Sequence, residues 1–140
     1  MSRDTEERNI KYVQDLFAAT GGGDWKTAES MLTADFFVTE ADTLPFAGVY
    51  RGPGALQELF EIVMASAGVV GLDIHEITAG GDRAVALLDL LLEGMPPVRV
   101  PLAETFRFRD GKVCEIRPYY YDPTPIVSAV AARTKTQGKA

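Results

Sequence analysis

The segment "VRVPLAETFRFRDGKVCEIRPYYYD", residues 98–122, decides the fold class of this chain. Runs of alternating residues flank the tripeptide "RDG", which is a turn signal, so the segment predicts a β-hairpin with strands over residues 98–109 and 112–122. Side chains of a strand alternate between its two faces. Every second position of the first strand is therefore expected to join one apolar row, and Glu104 lies within that row.

A carboxylate inside an apolar row has two simple explanations and one functional explanation. A β-bulge can turn Glu104 outward, or an arginine can pair with it. The arginines nearest in sequence, Arg99, Arg107 and Arg109, all fall on the opposite face of the strand. The functional hypothesis is that the row lines a pocket. Loss of water there would raise the pKa of Glu104 and keep it a neutral acid at neutral pH.

The other segments predict helices first and sheet last, which is an α+β arrangement. Apolar residues recur at helical spacing in the N-terminal half, and Asp24 follows three glycines, where it can cap the second helix. The stretch "DTLPFAGVYRGPG" is typical of a loop. The predicted helices cover residues 4–19, 24–32 and 54–67, and the remaining predicted strands cover residues 35–40, 70–78 and 83–93.

Composition limits the class of protein. The 140 residues fit one domain, and 46% apolar with 24% charged residues is ordinary for a globular fold. A formal net charge of −6 argues against nucleic acid or an anionic membrane as a partner. A single cysteine and a polar N-terminus favour a cytoplasmic protein. Residues 134–140 are expected to form a flexible tail.

The strand "AVALLDLLLE", residues 84–93, is apolar on both faces. Three helices can cover only one face of the predicted sheet. Large apolar patches are rarely left exposed on a monomer, so we expect a second copy of the chain to cover the other face. The sequence therefore predicts a homodimer.

A second carboxylate repeats the pattern of Glu104. In "DFFVTE", Glu40 shares a strand face with Phe36 and Val38. At the end of a strand it can simply turn to solvent. Two buried acids can instead form a general-base and general-acid pair, because burial and mutual repulsion push their pKa values apart. From the sequence these two readings are about equally supported.

Other residues that could carry chemistry give weaker signals. His75 is the one histidine, its face is ambiguous, and no HxH or HExxH spacing is present, so we expect no metal site. Cys114 is expected to be a small buried hydrophobe. Tyr119 and Tyr120 fall on opposite faces of the last strand, and either could serve a pocket wall or an interface.

Three segments together resemble one family. They are "GGDWKTAESMLTADFFVTE", "PFAGVYRGPGALQELF" and "ETFRFRDGKVCEIRPYYYD". The combination is similar to the SnoaL-like and ketosteroid-isomerase-like branch of the nuclear-transport-factor-2 superfamily. This resemblance implies an NTF2-like cone, with three N-terminal helices packed in a strongly curved antiparallel sheet around a deep apolar pocket, commonly in a homodimer. The fold hosts isomerases, cyclases, dehydratases, epoxide hydrolases and plain binding domains.

The resemblance also assigns roles to residues. Glu40 matches the position of the base of ketosteroid isomerase, and Glu104 matches the position of its protonated acid. The tyrosine of the oxyanion hole corresponds either to Tyr12 or, in a shifted register, to Leu16. The place of an aspartate that epoxide hydrolases need is taken by Pro118, which argues against that reaction.

We therefore expect a small-molecule isomerase, cyclase or dehydratase that acts on an apolar carbonyl compound without a cofactor. Glu40, Glu104 and Tyr12 are its expected catalytic residues. A non-catalytic ligand-binding or dimerisation domain is the alternative. The residues expected to bind the substrate are Leu16, Trp25, Phe36, Val38, Phe60, Leu102, Phe106 and Tyr119.

Overall fold

The computed structural model describes residues 3–137, and the side chains of residues 3–135. This part of the chain forms four helices and six strands, which confirms the α+β class. In chain order they are α1 (Arg3–Gly21), α2 (Trp25–Ser30), β1 (Leu32–Glu40), β2 (Gly48–Arg51), α3 (Ala55–Ala67), β3 (Val69–Gly80), β4 (Arg83–Leu92), β5 (Val98–Arg109), β6 (Lys112–Tyr120) and α4 (Thr124–Gln137). None of the described helices has the length and apolar content needed to cross a membrane.

The strands form one curled, unclosed sheet in the order β2-β1-β6-β5-β4-β3. Strands β3 to β6 follow each other as an antiparallel meander, as the turn signals predict. The prediction of an entirely antiparallel sheet is wrong at one place, because β1 lies parallel to β6. Strands distant in the chain have no tight turn to impose antiparallel pairing, so the long connection through α3 and β3–β5 permits this direction.

Local signals set two of the boundaries as predicted. The Asp24 carboxylate accepts a hydrogen bond from the backbone N–H of Thr27 and caps α2. Asp110 and Gly111 have φ angles of 53° and 78° between β5 and β6. Positive φ at both central residues is characteristic of a tight hairpin turn, so the "RDG" signal fixes the register of this hairpin.

Two elements were not expected. Strand β2 lies within the loop-like stretch, where the four residues Gly48–Arg51 pair with β1. Helix α4 follows the last strand and packs on α3 and β5, with Ile126 fully buried. Its apolar residues do not form one strong stripe, so its packing on α3 accounts for it better than periodicity does. Residues 134–137, assigned above to a flexible tail, continue α4, and residues 138–140 lie outside the described part.

The core lies between the helices and one face of the sheet, which we call the inner face. In β4 the alternate residues Ala84, Ala86, Leu88, Leu90 and Leu92 are buried there. Helix α1 packs against β3 and β4, and α3 packs against the strands at both ends of the sheet. The opposite, outer face of β4 carries the residues between them, including Leu87 and Asp89. The inner face therefore holds both the core and the candidate site.

Candidate functional site

A cavity of about 490 Å³ lies between the inner face and the helices α1 and α3. Its wall is mostly apolar. Strands β1 and β3 to β6 and helices α1, α2 and α3 contribute residues to it. The volume falls in the range of cavities that bind small organic molecules. The prediction that the apolar row of β5 lines a pocket is thus consistent with this structure, since Leu102, Glu104 and Phe106 all face the cavity.

Aromatic rings form two corners of the cavity wall. Trp25 and Phe60 meet edge to face with ring centroids 5.1 Å apart. Phe17 and Phe106 meet in the same manner at 5.7 Å. Such pairs hold flat, rigid surfaces in place, so the wall suits a ligand with an apolar ring skeleton.

Glu40 is one of two carboxylic acids in the wall. It ends β1, is 3% exposed and lines the cavity. Its Oε1 atom has no hydrogen-bond partner among the described residues. Leaving a buried polar atom unpaired costs free energy, so this oxygen is a group that a ligand could satisfy.

Glu104 lies two strands away, and Pro118 lies between the two acids. In the sheet Glu104 pairs with Pro118 across β5 and β6. Val38 pairs with Ile116 across β1 and β6, so two residues further along the parallel strands Glu40 lies level with Pro118. Two strand spacings separate the Cα atoms of the two glutamates by about 10 Å. Both side chains line the same cavity, so a single ligand can contact both.

Burial changes the protonation of both acids. It raises the pKa of Glu40 to about 8, with a further contribution from the negative charge of Glu104. It raises the pKa of Glu104 to about 7. Glu104 keeps some exposed surface, but that surface faces the cavity rather than open water. Interacting acids titrate as a pair, so at neutral pH the two glutamates together hold roughly one proton.

Tyr120 is the residue that sequence reasoning missed. It pairs with Leu102 across β5 and β6 and lines the cavity beside the two glutamates. Burial raises the pKa of Tyr120 well above the ordinary value, and the negative charges of Glu40 and Glu104 raise it further. The hydroxyl of Tyr120 therefore stays protonated and can donate a hydrogen bond. Alternation placed Tyr119 and Tyr120 on opposite faces, and continuing the buried row from Ile116 would have selected Tyr120.

The structure brings most of the predicted site residues together. Both glutamates line the cavity, and so do the predicted binding residues Leu16, Trp25, Val38, Phe60, Leu102 and Phe106. Two predicted binding residues do not reach it. Phe36 is fully buried in the core beneath the cavity, and Tyr119 is 55% exposed on the outer face.

Tyr12 does not reach the cavity either. Its hydroxyl donates a hydrogen bond to the carbonyl of Met31 at 2.9 Å, and its ring packs edge to face on Phe108. Of the two residues considered for the tyrosine position, Leu16 is the one in the cavity wall. The tyrosine hydroxyl in the cavity that feels the charge of both acids therefore comes from Tyr120 rather than from α1.

His75 lies outside the cavity, in an ionic cluster. Its Nε2 atom is 3.2 Å from Asp89, and potential ligand atoms of Asp73, His75 and Asp89 lie within 4.8 Å of one another. Arg99 already bonds both aspartates, at 2.8 Å and 3.0 Å. Arg99 is therefore a cationic partner of both carboxylates in this cluster.

Comparison with known families assigns the chain to one of them. The profile of the SnoaL-like domain matches residues 13–116, which is most of the chain and includes both glutamates. The chain is a SnoaL-like protein. The resemblance read from the three sequence segments is confirmed. A comparison with curated proteins finds no match.

Solved structures share the fold of this SnoaL-like protein. An NTF2-like protein from Burkholderia xenovorans LB400 is 26% identical, with a TM-score of 0.71 over 89% of this chain and 97% of its own. A candidate SnoaL-like polyketide cyclase from Jannaschia sp. CCS1 is 22% identical, with a TM-score of 0.70 over 91% and 94%. TerC, co-crystallised with polyporic acid, is 16% identical, with a TM-score of 0.73 over 89% and 98%.

Proposed function

We propose that this SnoaL-like protein is a cofactor-independent isomerase, cyclase or dehydratase that acts on an apolar carbonyl compound. One observation carries the proposal. Two carboxylic acids, Glu40 and Glu104, face the same apolar cavity with no cation among the described residues of its wall, and together they hold roughly one proton at neutral pH. Such a pair offers a base and an acid at once.

The reaction begins at the carbon next to the substrate carbonyl. The reactive form of the pair is the one in which Glu104 holds the proton and Glu40, ionised, takes a proton from that carbon. Because the pKa of Glu40, about 8, is the higher of the two, this is the less populated form at neutral pH. Glu104, neutral, donates a hydrogen bond to the carbonyl oxygen as negative charge develops on it, and the hydroxyl of Tyr120 is a second donor. Hydrogen bonds inside an apolar cavity act at low dielectric, so they stabilise the enolate more strongly than they would in water.

The enolate has three outcomes that need no cofactor. The proton returns to a different carbon in an isomerisation, the enolate carbon attacks a second carbonyl in a cyclisation, or a hydroxyl group leaves in a dehydration. All three use the same pair of acids. Two of the similar structures support a small organic ligand, since one is a candidate polyketide cyclase and another was crystallised with polyporic acid.

Exchange of a carbon-bound proton tests the proposal before the natural substrate is known. Ring ketones such as 2-tetralone are incubated with the protein in deuterated water, and NMR measures the loss of the proton next to the carbonyl. Glu40→Gln keeps the side-chain shape but cannot accept a proton, so we expect exchange to fall by about 100-fold or more.

The matched variants separate the two roles. Glu104→Gln keeps a hydrogen-bond donor and should slow exchange less than Glu104→Leu does. Glu115→Gln is the control, because Glu115 pairs with Arg117 on the same strand, away from the cavity, and should leave exchange unchanged. If Glu40→Gln exchanges like the parent, Glu40 is not the base. If ketones bind but no protein-dependent exchange occurs, the cavity is a binding site without turnover.

We also propose that the outer face of the sheet joins two copies of the chain. Leu87 is 42% exposed there and Tyr119 is 55% exposed, in line with the two-sided apolar pattern of β4. Light scattering at micromolar concentration should show a dimer, and Leu87→Asp should convert it to a monomer of 15.2 kDa. A parent protein that is already monomeric would contradict this interface.

A further inference from the structure

The ionisable groups around the cavity are all acidic. In the wall formed by residues 3–135 they are Glu40, Glu104 and Tyr120, and no lysine, arginine or histidine is among the lining residues. Buried charges in proteins are normally paired. This cavity therefore holds negative charge for which the described side chains of its wall supply no positive partner.

The residues behind the wall do not supply that charge either. On β2, the hydroxyl of Tyr50 is bonded to the carbonyl of Phe46, and the charges acting on Tyr50 are the acids Glu40 and Glu58. Arg51 of the same strand stacks over an aromatic ring of β1 that is not part of the cavity wall. The arginines of β4, β5 and β6 are exposed, at positions that alternate with the buried residues of the inner face.

The three acidic groups also present free hydrogen-bond acceptors. The Oε1 atom of Glu40 is buried and has no hydrogen-bond partner in the described part of the chain. Within the described residues, no hydrogen bond engages the side chain of Glu104 or the hydroxyl of Tyr120. An ammonium group has three N–H donors and no acceptor, so three oxygen-bearing groups around one point match its bonding needs. A carbonyl oxygen, by contrast, brings only acceptors.

We propose that this cavity is a binding site for apolar organic amines, with the ammonium nitrogen between Glu40 and Glu104 and the hydrocarbon part against the aromatic wall. The ammonium group supplies the cation that the wall lacks, and charge-assisted hydrogen bonds to a carboxylate are among the strongest in proteins. The aromatic pair of Trp25 and Phe60 gives the apolar part a flat surface.

Charge then determines which ligands enter. The pKa values of the two glutamates are raised to about 8 and about 7, so near neutral pH the pair holds roughly one proton. Two carboxyl groups that share one proton have a net negative charge. An ammonium ion favours the fully ionised pair and releases that proton on binding. A carboxylate ligand meets like charge in a cavity with little water and is disfavoured.

The inference goes beyond the proposed function, because it concerns binding and needs no turnover. Amines would act as ligands that compete with carbonyl substrates for the same two acids. Loss of proton exchange in ketones would leave amine binding standing. Failure of amine selectivity would leave the exchange chemistry standing.

Three probes of one shape test the inference by isothermal titration calorimetry at pH ~7.5, between the two raised pKa values. They are 1-naphthylmethylamine, 1-naphthylmethanol and 1-naphthoate. We expect the amine to bind at least about tenfold more tightly than the alcohol, and the carboxylate to bind more weakly than the alcohol. Heats measured in phosphate and in Tris should differ for the amine, because a proton is released, and should agree for the alcohol.

Matched double variants test whether the preference for the amine depends on the inner pair, Glu40 and Glu104. Glu40→Gln with Glu104→Gln keeps the shape of the cavity, so the alcohol should still bind within about threefold, while the advantage of the amine disappears. Asp73→Asn with Asp89→Asn removes two carboxylates from the outer cluster and should leave that advantage unchanged. The three-probe comparison on the parent protein stands even if a double variant fails to fold.

Three results would overturn the inference. They are an amine that binds no more tightly than the alcohol, an amine advantage that survives in the inner double variant, and no measurable binding of any probe at millimolar concentration. Selective amine binding accompanied by proton release, and lost with the two glutamates, would establish it.

Discussion

Carboxylates on the two faces of the same sheet have opposite surroundings. On the outer face, Arg99 bonds both Asp73 and Asp89, and its hydrogen bond lowers the pKa of Asp73 below the ordinary value. On the inner face, Glu40 and Glu104 have no cation among their described neighbours, and burial raises both pKa values. The same functional group is thus a stable anion on one side and a proton carrier on the other.

The carboxylates of the two faces differ in what they cost the stability of the fold. Paired surface carboxylates cost little, since water and arginine both stabilise them. Two unpaired acids in an apolar wall lower the stability of the fold unless they stay protonated. A sequence under selection for stability alone would place leucine or phenylalanine there, so the inner pair is best explained by what it does to a ligand.

The largest expected effect is a fall in stability with rising pH. The folded-state pKa values of Glu40 and Glu104 lie above the unfolded value of 4.5, so their contribution is fully present below about pH 4.5 and is lost as pH rises through about 7 and about 8. Urea unfolding should show a loss on the order of a few kcal/mol across that range.

The isosteric double variant Glu40→Gln with Glu104→Gln tests the origin of this loss. Because glutamine does not titrate, the dependence of unfolding free energy on pH should become nearly flat from about pH 5 to about pH 8.5. An unchanged slope in this variant would show that the inner acids are ionised at ordinary pKa values. The carboxylates of the two faces would then both be anions at neutral pH.

An intermediate effect is expected when a cation is added between the inner acids. Pro118 is buried and faces the cavity between Glu40 and Glu104, so Pro118→Lys would bring an ammonium group to both. Their pKa values should fall, because an opposite charge favours the ionised form. Carbon-13 NMR titration measures the shift, with Pro118→Leu as the control for the loss of proline. Unmoved values would contradict the geometry of the pair.

The smallest effect is expected from removing the outer cation. After Arg99→Gln, Asp73 remains at the surface in contact with water, so its pKa should rise only back toward the ordinary value. Proton titration by NMR checks the shift, and unfolding measured at low and high salt should differ little from the parent. A large loss of stability would mean that the outer cluster is structurally essential, unlike other exposed ion pairs.

Alternation along strands made the central part of the molecule predictable. Glu104 is in the apolar row of β5 and Glu40 is in that of β1, because the period of two leaves no freedom once one neighbour is buried. The helix start at Asp24 followed from a local capping signal, and the predicted start at residue 54 lies at the observed N-cap of α3. These features depend on residues close together in sequence.

Features set by distant contacts were not predictable in the same manner. The parallel pairing of β1 with β6 depends on where the chain returns after α3. Helix α4 is supported by Ile126 against the core rather than by a strong apolar stripe. Tyr12 looked suitable from its place on α1, but its hydroxyl is taken by the carbonyl of Met31, a contact no local pattern reveals.

The protonated pair of Glu40 and Glu104 also changes the net charge of the folded protein. The formal charge of −6 counts every carboxylate as ionised. At about pH 6, below both raised pKa values, the folded chain should carry about two fewer negative charges than the same chain unfolded. Its electrophoretic mobility, corrected for frictional size, should therefore be lower than composition implies. Unfolding should restore the missing charge by releasing two protons into the buffer.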